Sequence, residues 1–211
     1  MKTVSKEFTV YSVEDLRNMP ELKEKVLEKY RDYNTECGFW SDFIIEDWKE
    51  KLENYGFIQS EISWSGFWSQ GDGASFTCYR VDIPVFLEKF SDEIDLTEKQ
   101  KKLLLNLMKD YEVFSFAVKR RNYHYYHSKS VYLSSEDCLH NFTGYERLYD
   151  FLETAMQRIE NTIDEKVIDF SCQIYRELEK EYDYQSSEDC LLETFDANEL
   201  EFLEDGSIFY N

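Results

Sequence analysis

The sequence contains few residues that break or loosen regular structure. Only 2 prolines and 7 glycines occur among 211 residues. Flexible linkers and disordered segments are rich in such residues, so their scarcity argues against both. Hydrophobic residues make up 42% of the chain and aromatic residues 17%, which is enough material for a sizeable core. We therefore predict a single folded domain over residues 1–211.

The cysteines follow no pattern, because no two of the five form a CxxC pair and their number is odd. Such a set suits neither a disulfide framework nor a zinc site, and it fits thiols in a reducing compartment. The N-terminus lacks the apolar run of a signal peptide, and no stretch approaches the roughly 18 apolar residues of a membrane span. We expect a cytoplasmic protein without a membrane partner.

Residues and motifs typical of enzymes are also scarce. The sequence has no P-loop, nucleophile elbow, dinucleotide fingerprint or HExxH motif. Its histidines are His124, His127 and His140. A zinc site that combined them with Cys138 would match none of the usual spacings, and on a strand His124 and His127 would face opposite ways. We expect no catalytic residue, no metal and no cofactor. A small-molecule enzyme would instead need a pocket beside His124 or His127.

Two pairs of β-prone segments predict the sheet. Residues 57–69 and 74–81 flank a Gly-Asp-Gly turn, and residues 111–119 and 123–133 flank an Arg-Arg-Asn turn. Two hairpins predict one antiparallel sheet of about four strands, with helices packed on one face, which is an α+β fold. Alternation over residues 3–11 predicts a further short strand.

Helical periodicity predicts a buried helix face near residue 45. Its members recur at helical spacing, and they are Trp40, Phe43, Ile44, Trp48 and Leu52. Ser12 with Asp15, and Thr97 with Gln100, predict capping boxes at the starts of two other helices.

The segment from Tyr145 to Tyr184 predicts one long helix, because apolar residues recur every three or four positions without a single glycine or proline. A helix of roughly 38 residues would be about 57 Å long. This exceeds what the sheet needs as cover, so 145–185 would bend, break near Asn161, or project as an arm. Ser186 to Asp189 predict the start of a shorter, acidic helix that ends near Ala197.

The net charge of −20 is concentrated at the C-terminal end. Residues 145–211 contain 5 Lys/Arg and 19 Asp/Glu, whereas residues 101–133 contain 7 Lys/Arg and 2 Asp/Glu. A chain of this charge repels nucleic acid and anionic membranes and attracts basic partners. The plain alternative is that the charge serves solubility.

The basic stretch alternates with tyrosines, a combination that can bind single-stranded nucleic acid. The residues concerned are Lys101, Lys102, Lys109, Lys119, Arg120, Arg121 and Lys129, with Tyr123, Tyr125, Tyr126 and Tyr132. In a chain of net charge −20 we expect no direct nucleic-acid binding. The basic stretch would instead pair with the acidic face of its own chain or of a second copy, as a homodimer.

Two groups of residues are candidates for partner binding. The first is an acidic run on the C-terminal helices, namely Glu177, Glu179, Glu181, Asp183, Glu188, Asp189 and Glu193. Carboxylates three or four residues apart on a helix are about 5–6 Å apart, a spacing of the order of the phosphate repeat of DNA. The alternative is a solvated helix face.

The second candidate group is the glycine turn, with Trp68, Gln70 and Asp72. This turn is either a loop tip that enters a partner or a tight hairpin that the Asp72 carboxylate holds together.

Residues 65–76, SGFWSQGDGASF, resemble a GF-x-SQGDGASF block of small uncharacterised phage proteins. Some of those proteins carry the label "antitoxin of toxin–antitoxin stability system". The segment Tyr175–Tyr184, with Glu188 and Asp189 after it, is similar to the LE-x-EYEY-type acidic tail of the same proteins. The resemblance covers about a third of the chain. It implies a phage origin and a bacterial host cell, and it transfers no catalytic residue.

Two hypotheses follow. The first is a phage anti-defence inhibitor, of the anti-CRISPR or anti-restriction type. It would mimic nucleic acid and bind the basic surface of a host defence effector, either a protein or a nucleoprotein complex. The second is an antitoxin-like or regulatory adaptor that neutralises its partner through the sheet and the Gly-Asp-Gly loop.

Overall fold

The computed structural model describes residues 7–121 and 124–210. Over these residues the chain forms seven α-helices and one four-stranded sheet. The helices are α1 Val13–Asn18, α2 Pro20–Lys29, α3 Phe39–Asn54, α4 Ile83–Lys89, α5 Glu98–Asp110, α6 Glu146–Gln185 and α7 Glu188–Ala197. The strands are β1 Phe57–Ser65, β2 Gly73–Val81, β3 Phe114–Arg120 and β4 Val131–Asp137.

The sheet is antiparallel in the order β1-β2-β3-β4, so the predicted α+β fold with two hairpins is confirmed. The register pairs Ser65 with Gly73 next to the turn of the first hairpin and Cys78 with Val118 between the two hairpins. Burial of the Cys78 thiol raises its pKa to about 11, so this central cysteine stays protonated at neutral pH.

Three helices begin directly after a residue that caps their N-terminus. Ser12 and Asp15 form a reciprocal capping box at α1, and Thr97 and Gln100 form one at α5, as predicted. Ser187 caps α7 by accepting a hydrogen bond from the backbone N–H of Cys190. Each cap satisfies helix N–H groups that have no partner inside the helix.

Helix α6 runs through Asn161 without a break over 40 residues. Its buried residues recur every three or four positions, the stripe expected of a helix with one covered face. They include Leu152, Ala155, Ile159, Ile163, Val167, Phe170, Ile174 and Leu178. That the segment 145–185 projects as an arm stays a prediction.

The described residues divide into two compact units, and α3 and α6 each contribute to both. The first unit contains residues 7–43 and 179–210, and the second lies within 44–178. The first has its own apolar core, formed by Val13, Leu16, Leu22, Val26, Leu191, Leu192, Phe195, Phe202 and Ile208. In the second, the ring of Phe57 makes edge contacts with Phe76 at 5.2 Å and Phe86 at 5.8 Å. The prediction of one domain over 1–211 stays a prediction.

Two strand predictions are wrong. In the predicted strand 3–11, residues 3–6 lie outside the described part, and residues 7–10 do not form a strand. Tyr11 forms only an isolated bridge with Phe202. The fourth strand begins at Val131 rather than near residue 123. Residues 124–127 form a loop instead, so the expectation that His124 and His127 lie on a strand is also wrong.

Candidate functional site

Four of the seven predicted carboxylates are exposed. Glu179 and Asp183 lie one turn apart on the last part of α6, and Asp189 and Glu193 lie one turn apart on α7. Among the described residues, none of the four forms a hydrogen bond or an ion pair through its side chain. All four belong to the first unit, where they present negative charge to solvent. We call these four residues the acidic surface.

The other three predicted carboxylates bind partners within the chain. Glu177 accepts a hydrogen bond of 2.7 Å from the indole N–H of the buried Trp48. Glu181 accepts one of 2.8 Å from the Gln185 amide. Glu188 forms an ion pair of 2.7 Å with Lys23. Glu177 satisfies a buried donor, so its first role is structural.

The first unit carries a large excess of negative charge. The segments 1–43 and 179–211 contain 8 Lys/Arg and 20 Asp/Glu, a net charge of −12, whereas residues 44–178 carry −8. Two tyrosines of α6 have pKa values above the ordinary value. That of Tyr182 is raised by burial and then by its hydrogen bond to Asp32, and that of Tyr184 by Cys190 and then by Glu193. Both tyrosines therefore remain neutral at physiological pH.

Two phenylalanines at the start of α3 are exposed in the same unit. Phe39 is 77% exposed and Phe43 is 80% exposed, and they lie one turn apart. Between them, the Trp40 ring packs edge-on against Tyr182 at 5.7 Å, which brings this turn of α3 beside the end of α6. The prediction that Phe43 is buried is wrong, although Trp48 and Leu52 are buried as expected. The buried residues of α3, which are Ser41, Trp48 and Leu52, lie on one face of the helix, and Phe43 lies on the opposite face.

The Asp72 carboxylate holds the glycine turn together. It accepts hydrogen bonds from the backbone N–H of Ser69 at 2.6 Å and of Trp68 at 3.0 Å, and from the Ser65 hydroxyl at 3.3 Å. Gly66 leaves room for this carboxylate, because a Cβ atom there would lie 2.9 Å from its Oδ2 atom and would make the bonded side chain shift. Both the glycine and the aspartate of this block therefore have a structural explanation.

Trp68 and Gln70 lie at the surface of the same turn. Trp68 is 72% exposed, and its ring meets Phe67 edge-on at 6.0 Å. Phe67 in turn stacks on Trp64 at 5.5 Å and contacts Tyr175 of α6 at 5.4 Å. The turn thus presents an aromatic surface on a base that Asp72 fixes in shape.

Asp72→Ala is expected to lower the free energy of unfolding by about 1–3 kcal/mol, because the amides of Trp68 and Ser69 lose their acceptor. Urea unfolding followed by tryptophan fluorescence measures the change. Gln70→Ala is the control, since Gln70 is exposed in the same turn and its loss should cost less than about 0.5 kcal/mol. Equal stability of the two variants would contradict this role of Asp72.

Three of the predicted basic residues have contacts with neighbouring side chains. Lys101 is buried and bonds Ser91 and Glu98. Arg120 lies 5.2 Å from the Tyr126 ring, and Arg121 lies 5.6 Å from the Tyr132 ring. Tyr123 lies outside the described residues.

The described residues contain no group of three or more His, Cys, Asp or Glu side chains placed to hold a metal ion. The same part of the chain has no helix that is both long enough and apolar enough to cross a membrane. His127 has a local structural contact, because its Nδ1 accepts a hydrogen bond from the backbone N–H of Lys129.

Comparison with known proteins finds one family. The model described as "Domain of unknown function (DUF8835)" matches residues 40–188, which include α3 except its first residue, the whole sheet and α6. No curated protein and no solved structure matches the chain.

Proposed function

Because the chain belongs to the DUF8835 family of domains of unknown function, we propose a function from its own surface. The chain is an inhibitor that binds another protein and covers the basic surface with which that protein holds nucleic acid. The observation that carries this proposal is the acidic surface of Glu179, Asp183, Asp189 and Glu193, exposed in a unit of net charge −12.

The charge arrangement suits mimicry of nucleic acid. The four carboxylates stand in two pairs, and the members of each pair are about 5–6 Å apart on a rigid helix. Lys and Arg side chains that normally contact phosphates could bind such pairs by charge-assisted hydrogen bonds. Charge complementarity of this kind accelerates encounter and makes affinity fall as salt rises.

Phe39 and Phe43 would supply the apolar part of the contact. Charged pairs alone add little affinity when they remain exposed, whereas aromatic side chains that become buried often dominate binding. Both phenylalanines lie in the same unit as the acidic surface and are more than three-quarters exposed.

The resemblance to small phage proteins supports a particular class of partner. A phage-encoded inhibitor acts in the cytoplasm of a bacterial host, where restriction enzymes and CRISPR nuclease complexes hold nucleic acid on basic surfaces. The proposed activity is therefore anti-defence. It needs no catalytic residue, metal or cofactor in this chain.

Neutralising the acidic surface tests the proposal. The variant Glu179→Gln, Asp183→Asn, Asp189→Asn, Glu193→Gln is expected to lose about 100-fold or more in affinity for the defence complex near 0.1 M salt. Its matched control neutralises four exposed carboxylates of α6 in the second unit, Glu146→Gln, Asp150→Asn, Glu153→Gln and Glu165→Gln. The control keeps the same net charge, so it should retain most of the affinity.

Binding is measured by calorimetry against a purified CRISPR nuclease complex and a purified restriction enzyme, with competing DNA and with phage survival scored in parallel. An affinity that stays constant between low and high salt would contradict mimicry. Equal losses in the two variants would show that net charge acts without a defined surface.

A second candidate function rests on the exposure of Trp68. An antitoxin-like adaptor would bind its partner through the aromatic surface of the turn rather than through charge. Trp68→Ala would then abolish binding, while the neutralised acidic surface would leave it intact.

A further inference from the structure

Strand β4 forms one edge of the sheet, and no described strand pairs with its outer side. In the β3–β4 ladder, the backbone N–H of Arg121 bonds the carbonyl of Ser130, and that of Cys138 bonds the carbonyl of Val113. Hydrogen-bonded pairs recur every two residues along an antiparallel ladder. The backbone N–H and C=O groups of the even-numbered residues of β4 therefore point towards β3. The N–H and C=O groups of the odd-numbered residues 131–137 therefore point outward. Among the described residues they have no hydrogen-bond partner.

The two ends of β4 carry opposite charge. At its start lie the exposed Lys129 and Arg121, the latter 5.6 Å from the ring of Tyr132. At its end lie Glu136 and Asp137, both exposed and without an ion pair in the described part of the chain. An antiparallel copy of the same strand would place each basic end against an acidic end. The edge is thus complementary to itself.

The outward groups fix the register of such a pairing. We place a twofold axis at Ser134, so that the outward backbone groups of the odd-numbered residues form hydrogen bonds with those of the second copy. Val131 then pairs with Asp137 of the second copy, and Leu133 pairs with Ser135. Tyr132, with Arg121 against its ring, then faces Glu136 of the second copy. Each contact occurs twice.

The edge also has space beside it. A groove of about 590 Å³ runs between β4 and α6, and its lining includes Tyr132, Leu133 and the half-exposed Ile168. An added strand would place alternate side chains into this groove, as in other cases where a strand extends a sheet.

We propose that two copies of this chain pair through β4, antiparallel about a twofold axis at Ser134, to form a continuous eight-stranded sheet. The strand that pairs with this edge is β4 of a second copy, because the positive charge at the start of β4 is complementary to the negative charge at its end.

Substitution of Ser135 tests the edge directly. Ser135→Pro removes an outward N–H and leaves the β3–β4 ladder intact, because proline is tolerated at edge positions whose N–H faces solvent. Ser135→Ala is the matched control, since it loses the same hydroxyl contact with Glu160 but keeps the N–H. Sedimentation equilibrium should show twice the 25.5 kDa chain mass for the native chain and Ser135→Ala, and a dimer dissociation constant at least about 10-fold weaker for Ser135→Pro.

Cysteine cross-linking tests the register. With the exposed Cys37 and Cys172 replaced by serine, Ser134→Cys should form a disulfide-linked dimer under mild oxidation, because Ser134 faces its own copy. Glu136→Cys should not, since that residue faces position 132. A reversed-charge pair, Arg121→Glu with Glu136→Arg, should restore the association that each single reversal weakens.

A native chain that remains monomeric up to about 1 mM overturns the proposal. So does a dimer that Ser135→Pro leaves unchanged, or one that cross-links through Glu136→Cys and not through Ser134→Cys. Binding of a peptide strand to a monomeric chain would assign the edge to another protein. These outcomes are independent of the acidic surface.

Discussion

Gly73→Ala is expected to lower the free energy of unfolding by about 3 kcal/mol, near the upper end of what overpacking costs. A Cβ atom at Gly73 would lie 2.6 Å from both the Cα and the Cβ of His127 and 3.2 Å from its backbone nitrogen. The backbone of His127 cannot move away freely, because its carbonyl accepts hydrogen bonds from both the hydroxyl and the N–H of the buried Ser130. The destabilisation comes from this steric overlap and not from backbone strain, since the φ angle of Gly73 is not in the left-handed region.

Two other glycines make a graded series. At Gly71 a Cβ would meet the ring of Tyr125, which is half-exposed and can turn aside, so Gly71→Ala should cost less than Gly73→Ala. At Gly144 no atom lies within 4 Å, so Gly144→Ala should change stability by less than about 0.5 kcal/mol. Urea unfolding midpoints measure all three variants. Equal midpoints for Gly73→Ala and Gly144→Ala would contradict the close packing of the hairpin on residues 125–127.

This packing explains why the fourth strand could not be placed from the sequence. Residues 123–133 contain enough tyrosine and valine to predict a strand throughout. The segment 125–127 instead passes over Gly71 and Gly73, and His127 then caps a short 3₁₀ turn before β4 begins at Val131. A contact between residues more than fifty positions apart decided the boundary, and local propensity carries no information about it.

Features that depend on neighbours along the chain were predictable. The capping boxes at Ser12 and Thr97 need only residues three positions apart, and the stripe of α6 needs only its own periodicity. The hairpin at Gly73 follows from its turn residues. These local signals were sufficient for the α+β fold and its antiparallel sheet.

The candidate surfaces were predictable only in part. Charge counting identified the acidic C-terminal third, but it could not show that Glu177 is bound by Trp48, which lies 129 positions earlier. It also could not show that Phe39 and Phe43 are exposed, because large apolar side chains are more often buried. Which carboxylates remain available for a partner depends on tertiary contacts.

Phe195 lies at the centre of the first unit's core, and its ring meets three other aromatic rings. It contacts Phe202 at 5.3 Å, Tyr33 at 5.4 Å and Tyr30 at 6.3 Å, and it has no exposed surface. Tyr30 is the C-cap of α2, Tyr33 lies in the segment after it, and Phe202 lies after α7. Removing the ring would leave a cavity bordered by elements that are distant in sequence.

Phe195→Ala is therefore expected to lower the free energy of unfolding by about 3–5 kcal/mol, and Phe195→Leu by about 1–2 kcal/mol because leucine fills part of the space. Phe39→Ala is the matched control, since it removes the same ring from a site that is 77% exposed and should cost less than about 0.5 kcal/mol. Guanidinium unfolding measures all three. If Phe39→Ala also reduces binding to the partner while Phe195→Leu does not, the exposed ring serves recognition and the buried one serves folding. Equal stability losses at the two positions would contradict the core described for the first unit.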